Sequence, residues 1–181
     1  MPFSPLKLDE SCGNYELVNN QTVFSECRQY RYTLWREWHQ APAGYVLFIC
    51  LNPSTADATH DDPTVCRCMD FARRWGYGRL CVANLFAYRA THPQRLREVQ
   101  FPVGRDNDGW LKHLSAKADT VVAAWGVHGT LAGRDREVVQ LVGRQLFCLG
   151  VTKGGQPRHP LYLRRTVMPR IWQPMPSVVQ L

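Results

Sequence analysis

Two asparagines and a histidine stand where a sequence can most readily position chemistry. Asn52-Pro53 follows directly on the apolar run YVLFICL, Asn84 lies at the end of RLCVANL, and His159 is held between Arg158 and Pro160. A side-chain amide presents an acceptor and a donor together, so it can hold a water or read the edge of a heterocyclic base. Pro53 keeps Asn52 out of the helical region and fixes the turn. An imidazole in a rigid proline turn can donate to a departing anion or titrate near neutral pH.

Carboxylates gather in the same stretch. Asp57, Asp61 and Asp62 surround His60. Asp62 precedes a proline and is suited to capping a helix, which leaves Asp61 or Asp57 to polarise a water. Ser54 and Thr55 lie between, and the whole stretch also reads as an Asx or ST turn closing on its own backbone. After Asn84 come Phe86, Tyr88 and Arg89; an amide beside an aromatic ring can read a base edge while the ring stacks. The same residues can equally pack a loop onto a core.

Between Gly150 and Arg170 there are five basic residues and no acidic one. Lys153 and Arg158, close to Gly154-Gly155, can meet phosphates with charge and with accessible backbone amides. Tyr162 joins them as a substrate-binding candidate.

Positioning such groups requires strands that end together. Tyr45–Leu51, Arg79–Leu85, Thr120–Trp125 and Leu146–Leu149 read as four core strands, and Tyr30–Trp38 as an edge strand or a short helix. Helices are expected from Pro63 to the glycines at 76 and 78, over Asp108–Lys117 and over Arg134–Arg144, each with apolar residues at three- and four-residue steps. Strands alternating with helices imply crossover connections and a mainly parallel sheet covered on both faces, an α/β three-layer sandwich. In such sheets ligands collect beyond the carboxyl ends of the strands, where the loops above fall.

The 181 residues amount to a single domain, 1–181. No apolar run is long enough to span a membrane. Lys and Arg number 22 against 15 acidic residues, a formal charge of +7 that suits a polyanionic partner. Seven cysteines, several in apolar contexts, and an amino terminus without a signal-peptide pattern read as thiols in a cytoplasmic protein. Cys66 and Cys68 find no second pair to complete a zinc site. GxGxxG, HExxH and GxSxG are absent, and the glycines near 150–155 do not form a Walker loop, so nicotinamide, zinc-protease and hydrolase-elbow readings lose their support.

Taken together, RYTLWREW, LNPSTADATHDDPTVCRC, WGYG, NLFAYRATHP, PVGRDND, AWG and KGGQPRHPLYL resemble the DUF1643 proteins over about Tyr30–Trp172. A wider resemblance is to the uracil-DNA glycosylase superfamily. Leu51-Asn52-Pro53 resembles that superfamily's water-activating turn, Asn84 its base-reading asparagine, Asn84 with Arg89 the Asn-x-x-x-x-Arg pattern of some branches, Trp125-Gly126 the end of its third strand, and His159-Pro160-Leu161 its late His-Pro-Ser loop. The chain departs from the pattern where Cys50 or Leu51 replaces a glycine and Leu161 replaces the serine.

The resemblance implies a uracil-DNA glycosylase-like fold and a monofunctional DNA glycosylase acting on DNA with a damaged or modified base. Asn52, helped by Asp61 or Asp57, would position the attacking water. Asn84 would read the base, Phe86 or Tyr88 would stack on it, and His159 would stabilise the leaving base. Pro53, Ser54, Arg89, Lys153, Arg158 and Tyr162 complete the expected binding set, with no metal or organic cofactor. Two further classes remain: a non-catalytic nucleic-acid or modified-nucleotide binder, and a small-molecule nucleotide hydrolase or transferase.

Overall fold

A computed structural model describes residues 17–38 and 44–174. Among these residues seven strands and three α-helices follow in the order β1 (Leu17–Phe24), β2 (Arg31–Trp38), β3 (Val46–Cys50), α1 (Pro63–Arg74), β4 (Arg79–Asn84), α2 (Asn107–Lys117), β5 (Thr120–Ala123), α3 (Arg134–Val142), β6 (Leu146–Cys148) and β7 (Arg170–Trp172). They form one sheet in the order β1-β2-β4-β3-β5-β6-β7.

The four strands expected as the core are found, and they run parallel to one another. The sheet as a whole is mixed rather than mainly parallel, because β1, β2 and β7 are antiparallel to their neighbours. The physical reason lies in the connections. β1 and β2 are joined by a tight turn over residues 25–30, which can only return the chain antiparallel. Tyr30–Trp38 accordingly belongs to an interior strand, between β1 and β4, and not to an edge.

Strand parity divides the interior into two cores. From β3, Leu47 and Ile49 face α2 and α3, with Leu111, Leu114, Val138 and Val142 packed opposite. Val46, Phe48 and Cys50 face α1, against Val65, Met69, Phe71 and Ala72. A strand buried on both faces has to be apolar throughout, which is why VLFIC does not alternate. Burying each large side chain of α1 contributes roughly 1.5–3 kcal/mol, so the helix is held by its inner face more than by propensity.

The start of α1 is set locally. The Asp62 carboxylate accepts from the Val65 N–H at 2.9 Å and Pro63 occupies the first turn, where its missing donor leaves nothing unpaired. The helix ends at Trp75, and Gly76 follows with φ +84°, a left-handed turn that glycine adopts without strain.

Cys27, Cys50, Cys68, Cys81 and Cys148 are free thiols. Cys66 is disulfide-bonded, which corrects the reading of the cysteines as thiols throughout. Among the described residues no helix is long and apolar enough to cross a membrane.

Candidate functional site

Because β3, β4 and β5 are parallel and in register, with Cys50 beside Asn84 and Ile49 beside Ala123, their carboxyl ends finish at one edge. Beyond that edge, on the α1 side, lies a cleft of about 480 Å³ that brings together Asn52, Asn84 and His159 with Ser54, Asp62 and Tyr162. Parity explains the side: Val82 faces α1, so Asn84, two residues on, presents its amide to the same layer.

Asn84 is 1% exposed, and neither its Oδ1 nor its Nδ2 has a hydrogen-bond partner. Its backbone is secured from the opposite layer, where Asn107 Nδ2 donates to the carbonyls of Asn84 and Leu85, and Arg134 Nε donates to that of Leu85. Burying an amide with both groups unpaired costs roughly 1–3 kcal/mol per group. A strand end this well anchored keeps a side-chain donor and acceptor together at the cleft, where a water or a ligand of complementary pattern can meet them.

The Asn52 amide is oriented differently. Its Nδ2 donates to the carbonyl of Ala90 at 2.6 Å and of Pro53 at 3.1 Å, tying the loop after β3 to the loop after β4. The Ala90 N–H returns to the Pro53 carbonyl at 2.9 Å. With both donors engaged, Oδ1 is the group Asn52 offers to a ligand or water.

His159 begins a short 3-10 turn, Pro160–Tyr162. The Leu161 N–H approaches its Nδ1 at 3.4 Å, a long contact that assigns the proton of the neutral ring to Nε2. Burial lowers its pKa, and the carboxylate of Asp62 works the other way. The neutral, donating imidazole is therefore the favoured form. Gly126, at φ +74°, donates to the Pro157 carbonyl and holds this loop against the end of β5.

Two groups of the cleft escaped the sequence reading. Arg31 is 2% exposed, donates Nη1 to the Ala56 carbonyl at 2.6 Å and leaves a buried Nε without a partner. Burial pulls its pKa down to about 10 against the opposing pull of Asp62. Nothing in its spacing separates Arg31 from Arg36 on the same strand; only the fold does. Asp62 is the carboxylate of the cleft, a role that its capping position had concealed.

The other expected residues fall elsewhere. Asp61 pairs with Arg36, 2.6 Å away, and lies outside the cleft. Asp57 also lies outside; burial works to raise its pKa, but the Thr59 N–H and hydroxyl and the His60 N–H outweigh this and hold it at about 2. Neither is placed to polarise a water at the strand ends. Phe86 is 1% exposed within the α2–α3 core, where no base could stack on it. Tyr88 and Arg89 line a neighbouring groove, Pro53 is buried in the turn, and Ser54 borders both hollows. Lys153 and Arg158 lie outside the cleft, and Arg158 Nε is engaged by the Val151 carbonyl. The exposed ring at the cleft mouth is Tyr162, 5.7 Å from the His159 ring and 81% exposed.

A larger cavity of about 900 Å³ lies under Tyr30, Tyr32 and Phe101. None of its lining side chains is buried with an unpaired polar atom, so unmet hydrogen bonding, not size, marks the smaller cleft as the candidate site. Among the described residues no group of three His, Cys, Asp or Glu side chains is placed to hold a metal ion.

No curated protein and no solved structure matches the chain. A family model does match, over residues 31–161, a span that contains every cleft residue named above except Tyr162. The chain belongs to the DUF1643 family, whose description is a protein of unknown function.

Proposed function

We propose that the protein is a DNA glycosylase that hydrolyses the N-glycosidic bond of a damaged or modified base, on a uracil-DNA glycosylase-like scaffold. The observation that carries this reading is the wholly unpartnered amide of Asn84, buried at the end of β4 in a cleft shared with Asn52 and His159. An amide of this kind matches the adjacent donor and acceptor of a base edge. The target nucleotide leaves the stack, its base enters the cleft, and Tyr162 stacks at the mouth.

The water is held by Asn52 Oδ1, with Asp62 in place of Asp57 or Asp61 as the carboxylate that favours positive charge developing on the sugar. Attack at C1′ forms the C–O bond as the C–N bond breaks; the bonding electrons leave with the base, the Nε2–H of neutral His159 hydrogen-bonds to the resulting anion, and the proton lost by the water passes to the Asp62 carboxylate and on to the departed base. The chemistry asks for no metal or organic cofactor. The formal charge of +7 favours association with the DNA backbone.

A second reading, a non-catalytic binder of nucleic acid or a modified nucleotide, is favoured by the exclusion of Asp57 and Asp61 from the cleft. The discriminating experiment is release of free base from DNA containing uracil, deaminated, alkylated or hypermodified bases. Release that is lost in Asn52→Ala, Asn84→Ala and His159→Ala supports the glycosylase. Salt-sensitive binding without release from any substrate leaves the binder.

A further inference from the structure

We propose that the groove beside the cleft is a phosphate-ester subsite built on Arg28 and Arg89. The groove, about 410 Å³, shares Ser54, Ala90 and Thr91 with the cleft, so the two hollows adjoin across those three residues. Arg28 and Arg89 place their guanidinium carbons 4.7 and 4.9 Å from the centroid of the same ring, Phe24. Two like charges gathered on one ring repel, and among the described residues neither pairs with a carboxylate.

Their arrangement is held rather than incidental. Arg89 Nη1 donates to the Arg28 carbonyl at 3.2 Å, and the Arg89 N–H donates to the Gln29 carbonyl at 2.9 Å. Arg28 itself sits at φ +57°, a left-handed conformation that an arginine adopts only when its surroundings impose it. Arg89 Nε is buried with no partner. Ser54, Thr55 and Thr91 add hydroxyl donors to the same groove. Planar guanidinium forks and hydroxyls without a counter-anion match the oxygens of a phosphate.

This moves the expected phosphate contact away from Lys153 and Arg158. It rests on the nucleobase reading only for what occupies the cleft next door; phosphate recognition by the groove stands or falls separately. A free nucleotide and a nucleic-acid backbone supply the same ester.

The test uses the full chain and three probes: a labelled single-stranded DNA oligonucleotide, a matching strand of base-free sugar-phosphate residues, and deoxynucleoside monophosphates. The wild-type protein is expected to bind both strands with affinity that falls as salt rises. R28Q and R28Q/R89Q are expected to lower that affinity about tenfold at low salt and to reduce the log–log salt slope by roughly 0.7, one phosphate contact. K153Q is expected to leave the slope unchanged. Arg28 is exposed and its guanidinium makes no hydrogen bond among the described residues, so R28Q retains the fold. R89K, which keeps charge but loses the fork, is expected to recover only part of the affinity.

An unchanged slope in R28Q/R89Q, or no wild-type binding of the base-free strand, overturns the subsite. Loss of slope in a protein that releases no base sustains the subsite while the glycosylase reading fails. Intact base release with an unchanged slope does the reverse. Monophosphate binding that is weakened by R28Q identifies a free nucleotide as sufficient, whereas an effect confined to the strands identifies the polymer backbone.

Discussion

Arg36 and Arg31 lie on the same strand, both at most 2% exposed, yet they live in opposite circumstances. Arg36 donates to Asp61, to the Trp35 carbonyl and to the Asp57 carbonyl, so its charge is balanced and its hydrogen bonds are met. Arg31 has the Ala56 carbonyl, an unpaired Nε and a depressed pKa. The lesson is a division of labour. Arg36 and the Asp57–Asp61 segment use their polar groups on one another and so build the wall; Arg31, with Asn84, leaves groups unmet and so marks the candidate site.

Removing each arginine in turn separates the two roles. Arg36→Met strands the Asp61 carboxylate at the edge of the core and should destabilise the fold by about 3 kcal/mol in urea denaturation. Arg31→Met removes a desolvated charge that has no ion pair among the described residues, so its stability should change by less than about 1 kcal/mol while ligand binding is lost. Equal destabilisation by the two would show that Arg31 is structural after all.

Asn84→Leu sharpens the same point for an uncharged group. Replacing an unpaired buried amide with an apolar side chain should leave stability unchanged or raise it by about 1 kcal/mol, and should abolish base release. A large fall in melting temperature would mean the amide has a structural partner. Tyr162→Ala, at an exposed position, should leave unfolding unaltered and weaken binding of single-stranded DNA by roughly 1–3 kcal/mol if the ring stacks on a base. Equal binding by the variant and the wild type would remove Tyr162 from the site.

The smallest effect is a pH dependence in the wall. Asp57 is held at about 2 in the folded chain, below the ~3.9 of an unfolded aspartate. The folded state therefore prefers the carboxylate, and its contribution is present above about pH 4 and lost as pH falls towards 2. Asp57→Asn should flatten stability across that window. A variant whose acid limb superimposes on that of the wild type would show that the Thr59 and His60 bonds do not bear on folding.

Much of the frame was legible because buried parallel strands have an unmistakable composition. YVLFICL and TVVAAW cannot face water on either side, and Asn84 is conspicuous for interrupting such a run at its end. β1 and β7 were not legible: LVNNQTVF is half polar and RIW is three residues long. Phe86 shows the limit of reading strand ends by adjacency. Two residues past Asn84 the chain has left the strand, so parity no longer tells which layer a side chain enters, and its ring went to the opposite core. The carboxylates misled for a related reason. Asp57, Asp61 and Asp62 are alike in sequence, and only the fold shows that Arg36 takes the carboxylate of Asp61 while Thr59 and His60 take that of Asp57.

The pairing of Asn52 and Pro53 with Ala90 has a mechanical consequence. Asn52 Nδ2 binds the Ala90 carbonyl and the Ala90 N–H binds the Pro53 carbonyl, which stitches the rims after β3 and β4 into one piece, so that side of the cleft cannot widen without breaking both bonds. If the cleft takes a base as proposed, selection at that rim is made by gauge: an oversized base would be refused at the entrance rather than admitted by adaptation.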